Sequence, residues 1–255
     1  MSYGYSNRFA GFGQPVARDE ARSRVAFLRK VYGLFFGGVM VATVGALVAL
    51  NLGAESSRLV VGGGVARVPP LVAWVAQHFI ISLIVYFGAG FAVNAVRRTP
   101  GVNIAALFGF TFISGVYIAP LLFLAGVLAS GGQTLSGNPV RDAFLLSSAA
   151  FGGLTGYAVI TKRDFSFLRG FLSMGFFVLL GAMLIGMFIG SSVFHLAIAS
   201  VGVLLFGAYV LYDTSRLLRT EDRSDAVGAA LSLYLNFLNL FMFILQILMS
   251  SRSRD

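Results

Sequence analysis

Cysteine is absent from the 255 residues, which excludes disulfides, thiolate metal sites and thiol chemistry. Charge is scarce: Asp, Glu, Lys and Arg make up 11% of the chain, against about 25% in soluble proteins. Histidine occurs twice, as His78 and His195, on distant segments and with no acid clustered beside either. That pattern does not make a metal site, and both rings read as hydrogen-bonded packing or interface residues. The usual catalytic signatures are missing too: there is no His-Glu-x-x-His, no Gly-x-Ser-x-Gly and no phosphate loop. An intramembrane aspartyl protease needs two carboxylates on two helices, and only one Asp lies deep in an apolar segment. No enzyme, metal site or cofactor is expected. Strand-like alternation is not evident anywhere, which argues against a barrel.

What the chain has is apolar length. Hydrophobic residues make up 57%, with 25 Phe and 31 Gly, and the mean hydropathy is +0.85. The composition is that of an integral all-α membrane protein. Seven segments of membrane-spanning length follow one another at about 31–52, 70–96, 104–128, 143–161, 171–190, 193–212 (continuing to 218 if Asp213 is helical) and 227–249. This divides the chain into a basic tail (1–30), a seven-helix transmembrane domain (31–250) and a short C-terminal tail (251–255). The opening of the tail is Gly/Ser/Tyr-rich and expected to be disordered. Its second half, from about Arg18, has the pattern of an amphipathic helix running along the membrane surface. The connections are short, and Gly53–Pro69 and Ala129–Asp142 are read as Gly-rich loops.

The net charge of +9 does not call for nucleic acid, because the charges follow the segments. With the N-terminus inside, 14 of the 19 Lys/Arg fall on the inner side. That is a strong positive-inside signal, with the C-terminus outside. If the last segment only re-enters, Arg252 and Arg254 would also lie inside.

The last segment, VGAALSLYLNFLNLFMFILQILM, has no charge over 23 residues. Its polar residues Ser232, Asn236, Asn239 and Gln246 share a sector of roughly 80° at 3.6 residues per turn. Amides facing lipid would lose their partners at a cost of several kcal/mol. The stripe should therefore face protein or trapped water, with other helices around it. Amides that only join helices to one another would give the same stripe.

Nine of the ten carboxylates fall in loops or tails; the exception is Asp213, in VLLFGAYVLYDTSRLL. If the sixth helix runs on to Leu218, an ionisable group sits inside a span, which marks a functional site by default. The plainer alternative is a headgroup-level Asp paired with Arg216 one turn on. Arg97, Arg98, Lys162 and Arg163 end segments on the same side, either as topology anchors or as partners for Asp213. Pro120 removes a backbone hydrogen bond near Val116 and should kink the third segment; the freed carbonyl either serves a conduction path or is an ordinary feature of a membrane helix. The pairs Gly33/Gly37, Gly152/Gly156 and Gly186/Gly190 suggest faces of close helix approach.

Four stretches, FTFISGVYIAP (110–120), GYAVITKRDFSFL (156–168), VLYDTSRL (210–217) and ALSLYLNFLNLF (230–241), together resemble the transmembrane Bax-inhibitor-motif family in its bacterial branch. The resemblance runs from about residue 25 to 250. It implies a seven-helix fold with six helices wrapped around the last, in a bacterial inner membrane, and a pH-sensitive calcium or cation leak. It also implies, for some bacterial relatives, modulation of a membrane-anchored ATP-dependent protease. In the family two aspartates on the sixth and seventh helices share a proton, and an arginine at the inner end of the second helix latches to them. Asp213 matches the first aspartate and Arg97 the arginine, while Asn236 stands where the second aspartate would be. Two close carboxylates titrate in two separated steps; an Asp–Asn pair keeps the hydrogen bond and loses that separation. Calcium favours six to eight oxygens, several of them carboxylates, so one Asp with amides implies weak, transient contact.

Overall fold

The computed structural model describes residues 13–52, 57–61, 64–130, 138–220 and 222–252. The first 12 residues of the tail and the last three of the chain lie outside that range. The elements are α1 (Gly13–Asn51), β1 (Ser57–Val61), β2 (Gly64–Val68), α2 (Pro70–Gln77), α3 (Phe79–Val96), α4 (Val102–Ser130), α5 (Pro139–Thr161), α6 (Leu168–Gly186), α7 (Ser192–Arg219) and α8 (Ala226–Arg252). All helices except α2 hold stretches long and apolar enough to cross a membrane, seven in total. The protein is an all-α integral membrane protein.

Local sequence sets the ends of these helices. Asn138 caps α5, its side chain accepting from Val140 and Arg141, with Pro139 at the first helical position. Ser191 does the same for α7 through the Phe194 amide, at 3.4 Å. Lys162 closes α5 in the left-handed region, with φ 51°.

Three features differ from the expectations above. The helix expected from about Arg18 starts at Gly13 and is not separate: it runs unbroken into the first span as α1. No glycine or proline stands between Arg18 and Val31 to end the helix, so it propagates outward instead of turning along the surface. The second segment is divided at His78 (φ −106°, ψ 46°) into α2 and α3. The break is held by His78 Nδ1 against the Trp74 carbonyl (3.1 Å) and by Ser82, whose hydroxyl donates to the Val75 carbonyl (3.4 Å). Finally, part of the loop 53–69 is an antiparallel hairpin pairing Ser57 with Val68 and Val61 with Gly64. The bundle thus has a hairpin end and, opposite it, a basic end carrying Arg97, Arg98, Lys162, Arg163, Arg216 and Arg219.

The C-terminal helix is the most buried. Of its most apolar stretch 61% is buried, against 11–44% in the other six spans, and no residue of 226–250 is exposed. It packs against α1, α4, α5 and α7; α3 docks on α4 and α6 on α7. Phe237 of α8 meets Phe35 of α1 (5.8 Å) and Phe151 of α5 (5.7 Å) edge to face, a favoured aromatic geometry. The closest helix approach is between α1 and α4. A methyl group at Gly115 would collide with the Ala42 carbonyl, and one at Gly45 with the Phe112 carbonyl. Of the glycine pairs expected to mark such faces, Gly33, Gly152, Gly156 and Gly190 have open space where a Cβ would stand, while Gly37 meets the Phe108 ring and Gly186 meets the side chains of Ile198, Phe194 and His195. Pro120 lies within α4, which continues through it to Ser130.

Candidate functional site

Because α7 continues to Arg219, Asp213 is inside a helix, two turns before its end. On α8, Asn236 is buried and donates its amide Nδ2–H to Asp213 Oδ2 at 2.7 Å. This bond joins the two polar residues that the sequence singles out.

Two cavities meet at this bond. The first, about 210 Å³ at the basic end, is lined by Asp213, Arg97, Arg216, Asp225 and Ser232 among others. Its wall is rich in charge, and Phe27 of α1 closes one side. The second, about 480 Å³, lies between α3, α6, α7 and α8 and is mostly apolar; Asn94, Asn236 and Asn239 are its carboxamides. Asn236 borders the second cavity and Asp213 the first, so the hydrogen bond is part of the partition between them.

Arg97 lines the same cavity as Asp213, but its ion pair is with Asp225, Nε to Oδ2 at 3.4 Å. Among the described residues no ion pair reaches Asp213, from Arg97 or from Arg216. The expected latch is therefore displaced by one partner. The reason is local: Asp225 sits at the start of α8, where its Oδ1 accepts from the Gly228 amide at 2.8 Å, and this fixes its carboxylate in front of Arg97. Arg98 follows the same pattern, pairing with Asp222 at 3.3 Å. Two adjacent arginines at the end of α3 thus tie that helix to the α7–α8 turn.

The rest of the stripe divides by depth. Ser232 lines the charged cavity, Asn239 lines the apolar one and donates to the Leu235 carbonyl at 2.7 Å, and Gln246 lines neither. Thr214, next to Asp213, is fully buried, with its hydroxyl beside those of Tyr32 and Thr155. Tyr234 of α8 hydrogen-bonds Ser114 of α4. His195 Nδ1 lies 2.8 Å from the Ser191 carbonyl, a helix-end contact like that of His78.

The segment 161–167 is fastened to the end of α7. Ser215 donates to the Arg163 carbonyl (3.1 Å) and accepts from the Phe165 amide (3.3 Å). Arg219 donates to the Lys162 carbonyl (2.7 Å) and pairs with Asp164 (2.5 Å). The Thr-Lys-Arg-Asp stretch and the residues after Tyr-Asp-Thr therefore form one contact. Asp164 is exposed, and its carboxyl is held below the usual range, first by the Ser166 amide and hydroxyl and then by Arg219.

Asp225, Asp222, Ser215 and Arg219 were not singled out by the sequence reading. Asp225 carried a usable signal, since Ser-Asp immediately before an apolar run is a helix-start pattern. The contacts of Ser215 and Arg219 cross 50 or more residues and had none.

Seven membrane-length helices and a hydrogen-bonded acid–amide pair between two of them define the class: a polytopic membrane protein with polar groups inside its spans. The chain belongs to the family described as inhibitor of apoptosis-promoting Bax1, whose model matches residues 24–253. An uncharacterised protein of Campylobacter jejuni is 35% identical over 228 residues, covering 89% of this chain and 90% of its own length. An uncharacterised membrane protein of Vibrio cholerae is 35% identical over 188 residues (74% and 79%). The mouse protein named lifeguard 4 is 32% identical over 242 residues (93% and 90%). This family of membrane proteins is not a known enzyme family.

Proposed function

We propose that the protein is a calcium or cation leak of the Bax-inhibitor type in a bacterial inner membrane, with its N-terminus cytoplasmic. In this reading the path is closed at its basic end by the Asp213–Asn236 bond. Arg97 acts one step removed: it holds Asp225 and, through it, the start of α8. The observation that carries the reading is the 2.7 Å bond lying between a charged cavity and an apolar one. A lone carboxylate with one amide is a poor calcium cage, but a leak needs a site that an ion can leave. Asn in place of a second Asp makes pH control weak in the wild type.

The test is calcium and proton flux in reconstituted liposomes. Asp213→Ala should leave the leak open. Asn236→Asp should make flux steeply pH-dependent, because two neighbouring carboxylates share one proton. If neither substitution changes flux, the gate is elsewhere.

A second reading is a non-transporting regulator of another membrane complex, such as an ATP-dependent protease. It draws on the length of α1. Its 39 residues rise about 58 Å, well beyond a hydrocarbon core of roughly 30 Å. The helix therefore projects an exposed segment that includes Arg22 and Arg24. Deleting residues 1–17 separates the readings: a co-purifying protease lost on deletion, with no flux from the wild type, supports regulation, and flux from the wild type supports transport.

A further inference from the structure

The 480 Å³ cavity has a chemistry that the leak does not use. Its walls are Phe, Leu and Met from α3, α6 and α7, and no charged residue lines it. Yet it holds polar groups with unused capacity. Asn236 spends its amide N–H on Asp213, and Asn239 spends its own on the Leu235 carbonyl. Neither side-chain oxygen has a donor among the described residues. The Tyr86 hydroxyl, on the opposite wall, likewise has no hydrogen-bond partner there. Acceptors and donors that open on the cavity without a partner cost several kcal/mol at bilayer depth, so something that fills the cavity should supply both kinds of partner.

The surroundings indicate what that is. Phe87 and Phe91, on the α3 rim, are 49% and 71% exposed, and Met183 on the α6 rim is 43% exposed. All three lie inside helices long and apolar enough to cross a membrane, where acyl chains, and not water, would be the neighbours. A cavity of this volume is in the range of small-molecule sites. Water would need two to four polar partners per molecule, and the few polar side chains on these apolar walls, Tyr86, Asn94, Tyr209, Asn236 and Asn239, cannot hold a filled volume of it.

We infer that the cavity between α3 and α6 binds a neutral amphiphile from the bilayer: a single acyl chain against the aromatic walls, with a hydroxyl-and-ester head between Asn236, Asn239 and Tyr86. A monoacylglycerol has this chemistry. Its hydroxyls donate to the two amide oxygens and its ester carbonyl accepts from Tyr86. A charged head is disfavoured because the walls offer no counter-charge. Binding does not depend on the leak reading. Only its consequence does: Asn236 is shared with the gate, so the amphiphile would steady the amide that holds Asp213.

The test uses the full-length protein in phosphatidylcholine vesicles and a monoacylglycerol whose chain carries a diazirine, with the labelled peptides identified after illumination. Label should fall on 86–94 and 176–183. Excess monoolein should compete, while methyl oleate, which lacks the donor hydroxyls, should compete about five-fold less well. Gly90→Phe, which points a ring into the cavity, should abolish labelling. Asn239→Leu should reduce it about five-fold and serves if the glycine variant fails to fold. Equal competition by methyl oleate, or labelling indifferent to Asn239→Leu, overturns the inference. Labelling without flux would sink the leak alone, and flux without labelling the amphiphile alone.

Discussion

Asn236 gives its amide proton to Asp213 across 2.7 Å, and this one bond ties the most buried helix of the bundle to its neighbour α7. Replacing Asn236 with Leu should destabilise the protein by about 1–3 kcal/mol, because it leaves a partly buried carboxylate without its donor. Asp213→Leu should cost a similar amount by stranding the amide. The double variant should cost clearly less than the two together, since neither group is then left unpaired. Unfolding by SDS in mixed micelles measures all three; strict additivity would show that the bond contributes nothing to stability.

The Arg97–Asp225 pair invites a sharper comparison, because Asp225 has two roles. It caps α8 through the Gly228 amide and accepts the arginine. Asp225→Asn keeps an oxygen for the cap and removes the ion pair, so it should cost about 0.2–1 kcal/mol, the range for exposed pairs. Asp225→Ala removes both and should cost about 1 kcal/mol more. Added salt should shrink the difference between wild type and Asp225→Asn and leave the cap contribution in place. Micellar unfolding at low and high ionic strength checks both parts.

The legible parts of this molecule are those in which one residue's surroundings decide its place. The amide stripe of the last span could not face lipid, so its burial followed from the residues alone. The Asp213–Asn236 meeting needed more: the stripe indicated that Asn236 would face protein, and the family resemblance indicated which acid it would face. Arg97 shares a cavity with Asp213 but pairs with Asp225, a choice that turns on how the α7–α8 turn folds and that spacing does not contain. The break at His78 has no glycine or proline to announce it. The hairpin has strands of only five residues, too short for alternation to be read in a Gly-rich stretch. Spacing of glycines was a poor guide, because which glycine faces a neighbour depends on helix rotation, and periodicity along one helix does not contain that.

Gly115 offers a direct test of the rotation that spacing missed. A methyl group there meets the Ala42 carbonyl, which belongs to a helix backbone and cannot swing aside. Gly115→Ala should therefore destabilise by about 1–3 kcal/mol, the usual cost of overpacking. Gly152→Ala, with open space at the same position, should fall within about 0.5 kcal/mol of wild type. Equal effects at the two sites in SDS unfolding would contradict the α1–α4 contact.

The 161–167 segment should loosen in acid, and the sign follows from its carboxylate. The Asp164 carboxyl is held below its usual range by the Ser166 amide and hydroxyl and by Arg219. A group whose folded value is depressed contributes stability above its unfolded value, and this is lost as the pH falls through the folded one. The segment should therefore be fully fastened at neutral pH and begin to open below about pH 4, the unfolded range for Asp. Amide exchange of residues 163–168, followed by mass spectrometry from pH 7 to pH 3 and corrected for the intrinsic rate, reports it. Asp164→Asn should leave the segment partly open at neutral pH and flatten the acid response. Arg219→Gln should weaken the fastening yet keep the acid response, because Ser166 still favours the ionised carboxylate. A wild-type segment that exchanges identically across that range would mean that Asp164 does not hold it.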